Sequence, residues 1–234
     1  MTRNIIIITC LLLATPNFAF SALAGRKMVL TTSEAIHTGE ESAVLRVAYA
    51  KLGIELDIKE LPPRRSLEDA NDGFADGEVG RVAGLEKEFT NLIRIDVPIK
   101  SIETMAYFTH GAVTINGLAD LTRYRIGILE GMRLSEELTK GMHPISVDSW
   151  EKLYTLLEMG RLDVILASRE RQEEWHDIPQ TRNLESVQLQ PQGHAIYHYL
   201  NKRHLDFAPV IRMVLQDMRQ TGEMRKILLQ ASMN

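Results

Sequence analysis

The chain has 234 residues, a formal charge of −4, 44% apolar residues and a single cysteine. That is enough apolar material for one large or two small cores, and one cysteine excludes a disulfide scaffold. A mildly acidic chain without a basic stripe gives nucleic acid or an anionic membrane little to hold.

The first element in chain order is a leader. Arg3 is a short positive flank, residues 5–14 are apolar, Pro16 and Asn17 break the run, and Ala22, Leu23 and Ala24 offer small residues for cleavage. Residues 1–24 therefore read as a cleaved secretory signal peptide, and the expected compartment is the periplasm. A membrane anchor is the competing reading, but an unbroken span takes about 20 apolar residues and Pro16-Asn17 interrupts this one. Cys10 lies inside the apolar run, so the mature chain is expected to be thiol-free and soluble.

Residues 27–31 read as a strand. Residues 39–52 read as a helix with Leu45, Ala48, Tyr49 and Leu52 on one face and Gly53 at its stop. Residues 54–60 alternate Ile54, Leu56 and Ile58 against charged side chains, which predicts a strand with one wet side. After Pro62-Pro63, a helix over 64–74 and a strand over 78–82 complete a βαβαβ unit. A second series follows residues 93–98: strand 104–109, short helix 117–121, strand 124–129, helix 132–140, strand 145–147, helix 150–159 and strand 162–166. A polar helix then passes through Glu173 to His176, and 188–200 is strand-like. Phe207, Val210, Ile211, Val214, Leu215 and Met218 mark a periodic helix, which Gly222 separates from a last short helix carrying Ile227 and Leu228.

One pattern occurs twice: an amphipathic helix, then Gly-x-x-Asp, then an apolar strand. The first copy contains Gly73 and Asp76, the second Gly160 and Asp163. Each glycine supplies the left-handed stop of its helix, and each aspartate is a turn and strand-entry residue. Two such units predict two similar α/β lobes with a ligand cleft between them, against the alternative of one continuous doubly wound sheet.

These residues resemble the extracellular family 3 group of periplasmic solute-binding proteins, the polar amino acid type with the type II periplasmic binding fold. The resemblance is carried by Pro63-Arg64-Arg65-Ser66-Leu67, Asn71-Asp72-Gly73, Asp76 and Arg81, then Ile95-Asp96-Val97-Pro98-Ile99 and Leu118-Ala119-Asp120-Leu121. It continues through Arg125-Ile126-Gly127-Ile128-Leu129-Glu130-Gly131, residues 157–163 and Thr221-Gly222-Glu223. What it implies is an α/β, two-lobed fold, each lobe a mixed sheet flanked by helices, with two hinge crossovers. Lobe 1 would be residues 25–101 plus 198–234, and lobe 2 residues 102–197. A small polar or anionic solute would bind between them and be buried by hinge closure. The partner would be an inner-membrane transporter or receptor, and the protein a monomer. The chain departs from the family pattern at both charged anchors for an amino acid. Twelve residues after Asp76, where the family carries a carboxylate-gripping arginine, stands Glu88; five after Asp163, where it carries an ammonium-holding aspartate, stands Ser168.

The expected site is therefore assembled from other residues. Arg81 follows a strand at the cleft edge and is the principal anchor, and Arg65, a cation at a helix N-terminus, assists. Glu78 pairs with Arg81 or faces the solute. Ser33 and Glu34 follow the first strand, Ser168 a second-lobe strand. Glu130, Gly131 and Met132 form a strand-to-helix turn whose N–H groups are candidates for holding an anion. Catalysis has little support: there is no nucleophile elbow, no His-Glu-x-x-His and no phosphate-cradling loop, so no cofactor is expected and the chain reads as a binding protein rather than an enzyme. His194 and His198 are four apart on a strand, a spacing of about 13 Å that does not suit a shared metal. The rival readings are a sensor or accessory domain docking on a membrane receptor, and a lyase or dehydratase on the same fold.

Overall fold

A computed structural model of the chain describes residues 25–33, 39–109, 111, 113–171, 181 and 183–232. The predicted leader, Glu34 and the polar helix at Glu173 to His176 lie outside the described residues.

Among the described residues, ten strands form two five-stranded sheets. The first contains β1 (Lys27–Ser33), β2 (Glu55–Leu61), β3 (Gly77–Val82), β4 (Leu92–Ile102) and β10 (His194–Asn201), in the order β2-β1-β3-β10-β4. The second contains β5 (Thr104–Thr109), β6 (Ile126–Leu129), β7 (Ile145–Val147), β8 (Val164–Ser168) and β9 (Leu184–Gln188), in the order β7-β6-β8-β5-β9. Each sheet is a parallel trio extended by an antiparallel strand, β10 in one and β5 in the other. Those two antiparallel strands are the ones that arrive from the opposite lobe. The two sheets are thus one topology used twice, joined by two crossovers, which is a two-lobed arrangement rather than one continuous sheet.

Helices cover both faces. In the first lobe α1 (Gly39–Ala50), α5 (Ala208–Gln220) and α6 (Glu223–Ala231) close one core: Leu45, Tyr49, Ile211 and Leu215 pack on Met28, Leu30, Ile95 and Leu200. The opposite face is covered by α2 (Pro63–Asp72), through Leu67 and Ala70 against Leu92 and Tyr199. Pro63 sits at the first helical turn, where its missing N–H costs nothing, and Gly73 ends the helix at φ 83°. In the second lobe α4 (Trp150–Glu158) lays Leu153, Tyr154 and Leu157 on Tyr107, Leu129 and Ile165. Its N-cap Ser149 accepts the Lys152 amide through its side chain. Short α3 (Arg133–Leu138) follows β6, and the expected helix at 117–121 is a 3₁₀ turn, Leu118–Arg123.

The two Gly-x-x-Asp aspartates do the same structural work. Asp76 accepts the Val29 amide at 2.7 Å and its own amide bonds back to the Val29 carbonyl, tying the entry of β3 to β1. Asp163 accepts the Arg125 amide at 2.7 Å and returns its amide to the Arg125 carbonyl, ahead of β6 and β8.

Two boundaries differ from expectation. The strand-like segment 188–200 is two strands separated at residues 189–193, with Gly193 held so close to the Ile102 carbonyl that a Cβ there would lie 2.9 Å from it. As a result β10 is hydrogen-bonded in the first sheet from His194 onward, paired with Ile102 of β4, four residues ahead of the expected return at 198. The outward crossing falls at Glu103, between β4 and β5.

Candidate functional site

The lobes meet where the parallel strands end, the place at which open α/β sheets present ligand sites. The turn after β6 touches the first turn of α2: a Cβ on Gly131 would lie 2.7 Å from the Arg64 nitrogen and 3.1 Å from the Pro63 Cβ. Gly131 has φ 78° as well, so both the backbone and the neighbouring lobe require glycine there.

The first-lobe wall is built around a buried ion pair. β10 advances two residues, Tyr197 to Tyr199, while β3 advances three, from Arg81 back to Glu78, so β3 carries one extra residue at Val79-Gly80. That bulge breaks the strand's alternation and puts Glu78 and Arg81 on one side. The Arg81 Nε donates to Glu78 Oε1 at 2.8 Å and its Nη2 to the Pro63 carbonyl at 3.0 Å, with the side chains only 3% and 0% exposed. Glu78 also accepts Thr31 Oγ1 at 2.8 Å and the Ser66 hydroxyl. On the Glu78 backbone sits His198: its Nδ1 donates to the Glu78 carbonyl at 2.7 Å, and its Nε2 is 2.8 Å from the Tyr49 hydroxyl. A carbonyl only accepts, so Nδ1 carries a proton; with the ring kept neutral by burial, Nε2 accepts and Tyr49 donates. Burial pushes the His198 pKa down to about 4, outweighing the carbonyl that favours the charged ring.

A second charged group stands at the crossover. Lys100 lies 2.8 Å from Glu40 and 3.3 Å from Glu41, at the first turn of α1. Burial works to lower its pKa, but Glu41, Glu40 and Glu170 together hold it above the ordinary lysine value.

The second-lobe wall and the rim are less buried. Arg133 reaches across to Glu88 at 2.9 Å, and Arg64 reaches Glu130 at 3.6 Å. Beside them a groove of about 740 Å³ runs between the β3–β4 connection and α3, lined by Ala83, Glu86, Glu88, Arg133, Glu137 and Lys140 among others.

The expected site residues are placed unevenly. Arg81 and Glu78 are brought together and buried behind the first turn of α2, and Ser33 is buried at the end of β1 in the same lobe. Ser168 ends β8 and its carbonyl accepts the Tyr107 hydroxyl at 3.0 Å. Arg65 is not at the wall: its side chain is 60% exposed and pairs with Asp69 at 2.7 Å, one helical turn on, because the inward positions of α2 are taken by Ser66 and Leu67. The anion-holding turn also needs correction. The Glu130 amide bonds to the Val147 carbonyl, the Met132 amide to Leu129, and the Gly131 amide to Glu136 Oε1 at 2.9 Å, so a carboxylate of the chain occupies that position. Met132 packs on the second-lobe core. Arg64, Ser66, Glu88, Lys100 and Arg133 were missed, since nothing local marks a residue whose partner is on another element. The Arg65/Asp69 spacing, by contrast, was a readable sign of a surface pair.

No protein-family model matches the chain. An uncharacterised protein of Shewanella oneidensis is 24% identical over 198 residues, 79% of this chain and 72% of that protein. Among solved structures, an amino acid ABC transporter substrate-binding protein, AbpA of Streptococcus pneumoniae bound to L-arginine, aligns with TM-score 0.72 and 15% identity over 92% of this chain and 97% of its own. A histidine kinase sensor domain with similarity to periplasmic binding proteins aligns at 0.77 and 13% identity, over 90% and 97% of the two chains. The BvgS VFT2 domain of Bordetella pertussis aligns at 0.69 and 10%, over 88% and 93%. With two like-ordered mixed sheets, two crossovers and these neighbours, the chain has the two-lobed type II periplasmic binding protein fold.

Proposed function

We propose that the chain is a solute-binding protein that captures a small polar solute between its lobes and passes it to a membrane transporter from the periplasm. The observation that carries this reading is the meeting of equivalent strand ends from two like lobes, with polar side chains from both at one boundary. The solved neighbours named above are a substrate-binding protein and sensor-type domains, which supports a non-catalytic role. No helix among the described residues is long and apolar enough to cross a membrane. Glu78 neutralises Arg81, so the wall offers oriented donors more than net positive charge, and a polar solute suits it better than a bare anion. Arg81 remains the anchor in this reading, with Ser33 and Ser168 as polar contacts from each side; Glu78 orients Arg81.

A second reading, a sensor domain on a membrane receptor, is favoured by the alignment with the histidine kinase sensor domain at TM-score 0.77. The test is thermal melting of the protein against amino acids, organic acids, polyamines and small sugars. A bound compound at a hundredfold over its Kd adds about 2.7 kcal/mol, a shift of several degrees for a chain of this size. A flat response across the set rejects capture of these solutes.

A further inference from the structure

The contacts between the lobes are made by the chain itself, and they are of two kinds. On the β10 side, Leu134 and Leu138 of α3 pack with Val82, Ile102 and Ile196 of the first sheet, and Ile196 is 1% exposed. At the rim, Arg133 meets Glu88 at 2.9 Å and Arg64 faces Glu130 at 3.6 Å. Between them the Gly131 turn lies against the backbone of Pro63-Arg64 with no room for a methyl group. Glu88 and Arg133 belong to opposite lobes, 45 residues apart in sequence, and neither is needed to stabilise its own lobe's core.

We propose that these contacts form a clasp that makes the closed arrangement the resting state of the protein, so that solute is admitted by opening it. Swinging α3 away would bare Leu134, Leu138, Val82 and Ile196 to water at once, which disfavours the open form without any solute. The charged pairs lie half exposed at the edge, where they register the lobes and respond to salt. A solute that must compete with a clasp selects a rarely populated open form, and its apparent affinity falls by that fraction. The inference takes the cleft of the proposed function as given. Its test reads lobe separation with no solute added, so it holds or fails independently of any binding result.

The test is small-angle X-ray scattering on the full chain, unfolded and refolded on a column to strip retained solute. The wild type is expected to scatter as the closed form. Gly131→Ala places a methyl group against Arg64 and is expected to raise the radius of gyration. Gly160→Ala is its control, because Gly160 shares the positive φ (64°) but has open space around its Cβ position. Glu88→Arg should open the lobes in part, and adding Arg133→Glu should close them again. Circular dichroism confirms that each variant is folded. An open wild type, a Gly131→Ala curve like that of Gly160→Ala, or no difference between Glu88→Arg and its swap partner would each overturn the clasp.

Discussion

The two lobes share a strand order and an aspartate at the same structural joint, yet their walls toward the cleft differ. The first lobe faces it with a buried, internally neutralised ion pair seated on a bulge. The second contributes exposed charges and a turn whose amides are already satisfied. The lesson is that the repeated parts hold the fold while the unrepeated ones make the site. Asp76 and Asp163 recur because every sheet of this order must tie its third strand to its first, whereas nothing in the architecture calls for Glu78 and Arg81.

Breaking the buried pair should have the largest effect. Glu78→Ala leaves the Arg81 guanidinium buried without its carboxylate, and the expected loss is about 3–5 kcal/mol of unfolding free energy, read from the urea midpoint. Arg81→Ala is milder, since Thr31 and Ser66 still donate to Glu78, but it does not leave stability untouched. A mutant of the anchor must therefore be compared with wild type at matched folded fraction before any loss of binding is assigned to the site.

The pH dependence sharpens the same contrast, because the ring behind the first wall is held neutral. The folded His198 pKa, about 4, lies below its ordinary 6.5, so the unfolded chain binds more protons between those values. This contribution is present in full above about pH 6.5 and is lost as pH falls toward 4; it amounts to about 3 kcal/mol. Urea midpoints measured from pH 7 to 4 should fall steeply for wild type and less steeply for His198→Gln. Parallel slopes for the two would remove His198 as the source.

The aspartates allow a comparison between like positions. Asp76 accepts from Val29 and Arg203 and lies 2.6 Å from His204, while among the described residues Asp163 is bonded by Arg125 alone, through backbone and side chain. Asp76→Ala should cost about 2–3 kcal/mol and Asp163→Ala about 1–2 kcal/mol in the same assay. Equal costs would mean that the added partners of Asp76 contribute nothing. The smallest effect is expected at the rim, where Glu88→Gln should change global stability by less than about 1 kcal/mol.

Much of the fold was legible in the sequence because its signals are local. Leu45, Ala48, Tyr49 and Leu52 sit at helical spacing and Gly73 ends its helix at φ 83°, so helices and strand entries could be placed. The break at residues 189–193 carries its own signal, Pro191 and Gly193, through which the strand-like reading of 188–200 runs. The site was legible in part. Arg81 and its pairing with Glu78 were singled out, and Gly80 within the strand marks the bulge that brings the two side chains to one side. Arg65 was singled out for an unfavourable place on the helix dipole, and Asp69 one turn later answers that charge. The Glu88–Arg133 bridge could not be read at all, for it depends on how two lobes close.

A solute held by both lobes at once would show itself in amide hydrogen exchange measured with and without the compound that shifts the melting temperature. Exchange should slow in both lobes together, in peptides covering residues 80–84 and the start of α2 on one side and residues 130–134 and 166–169 on the other. Protection confined to one lobe, or to the outer helices α5 and α6, would contradict it.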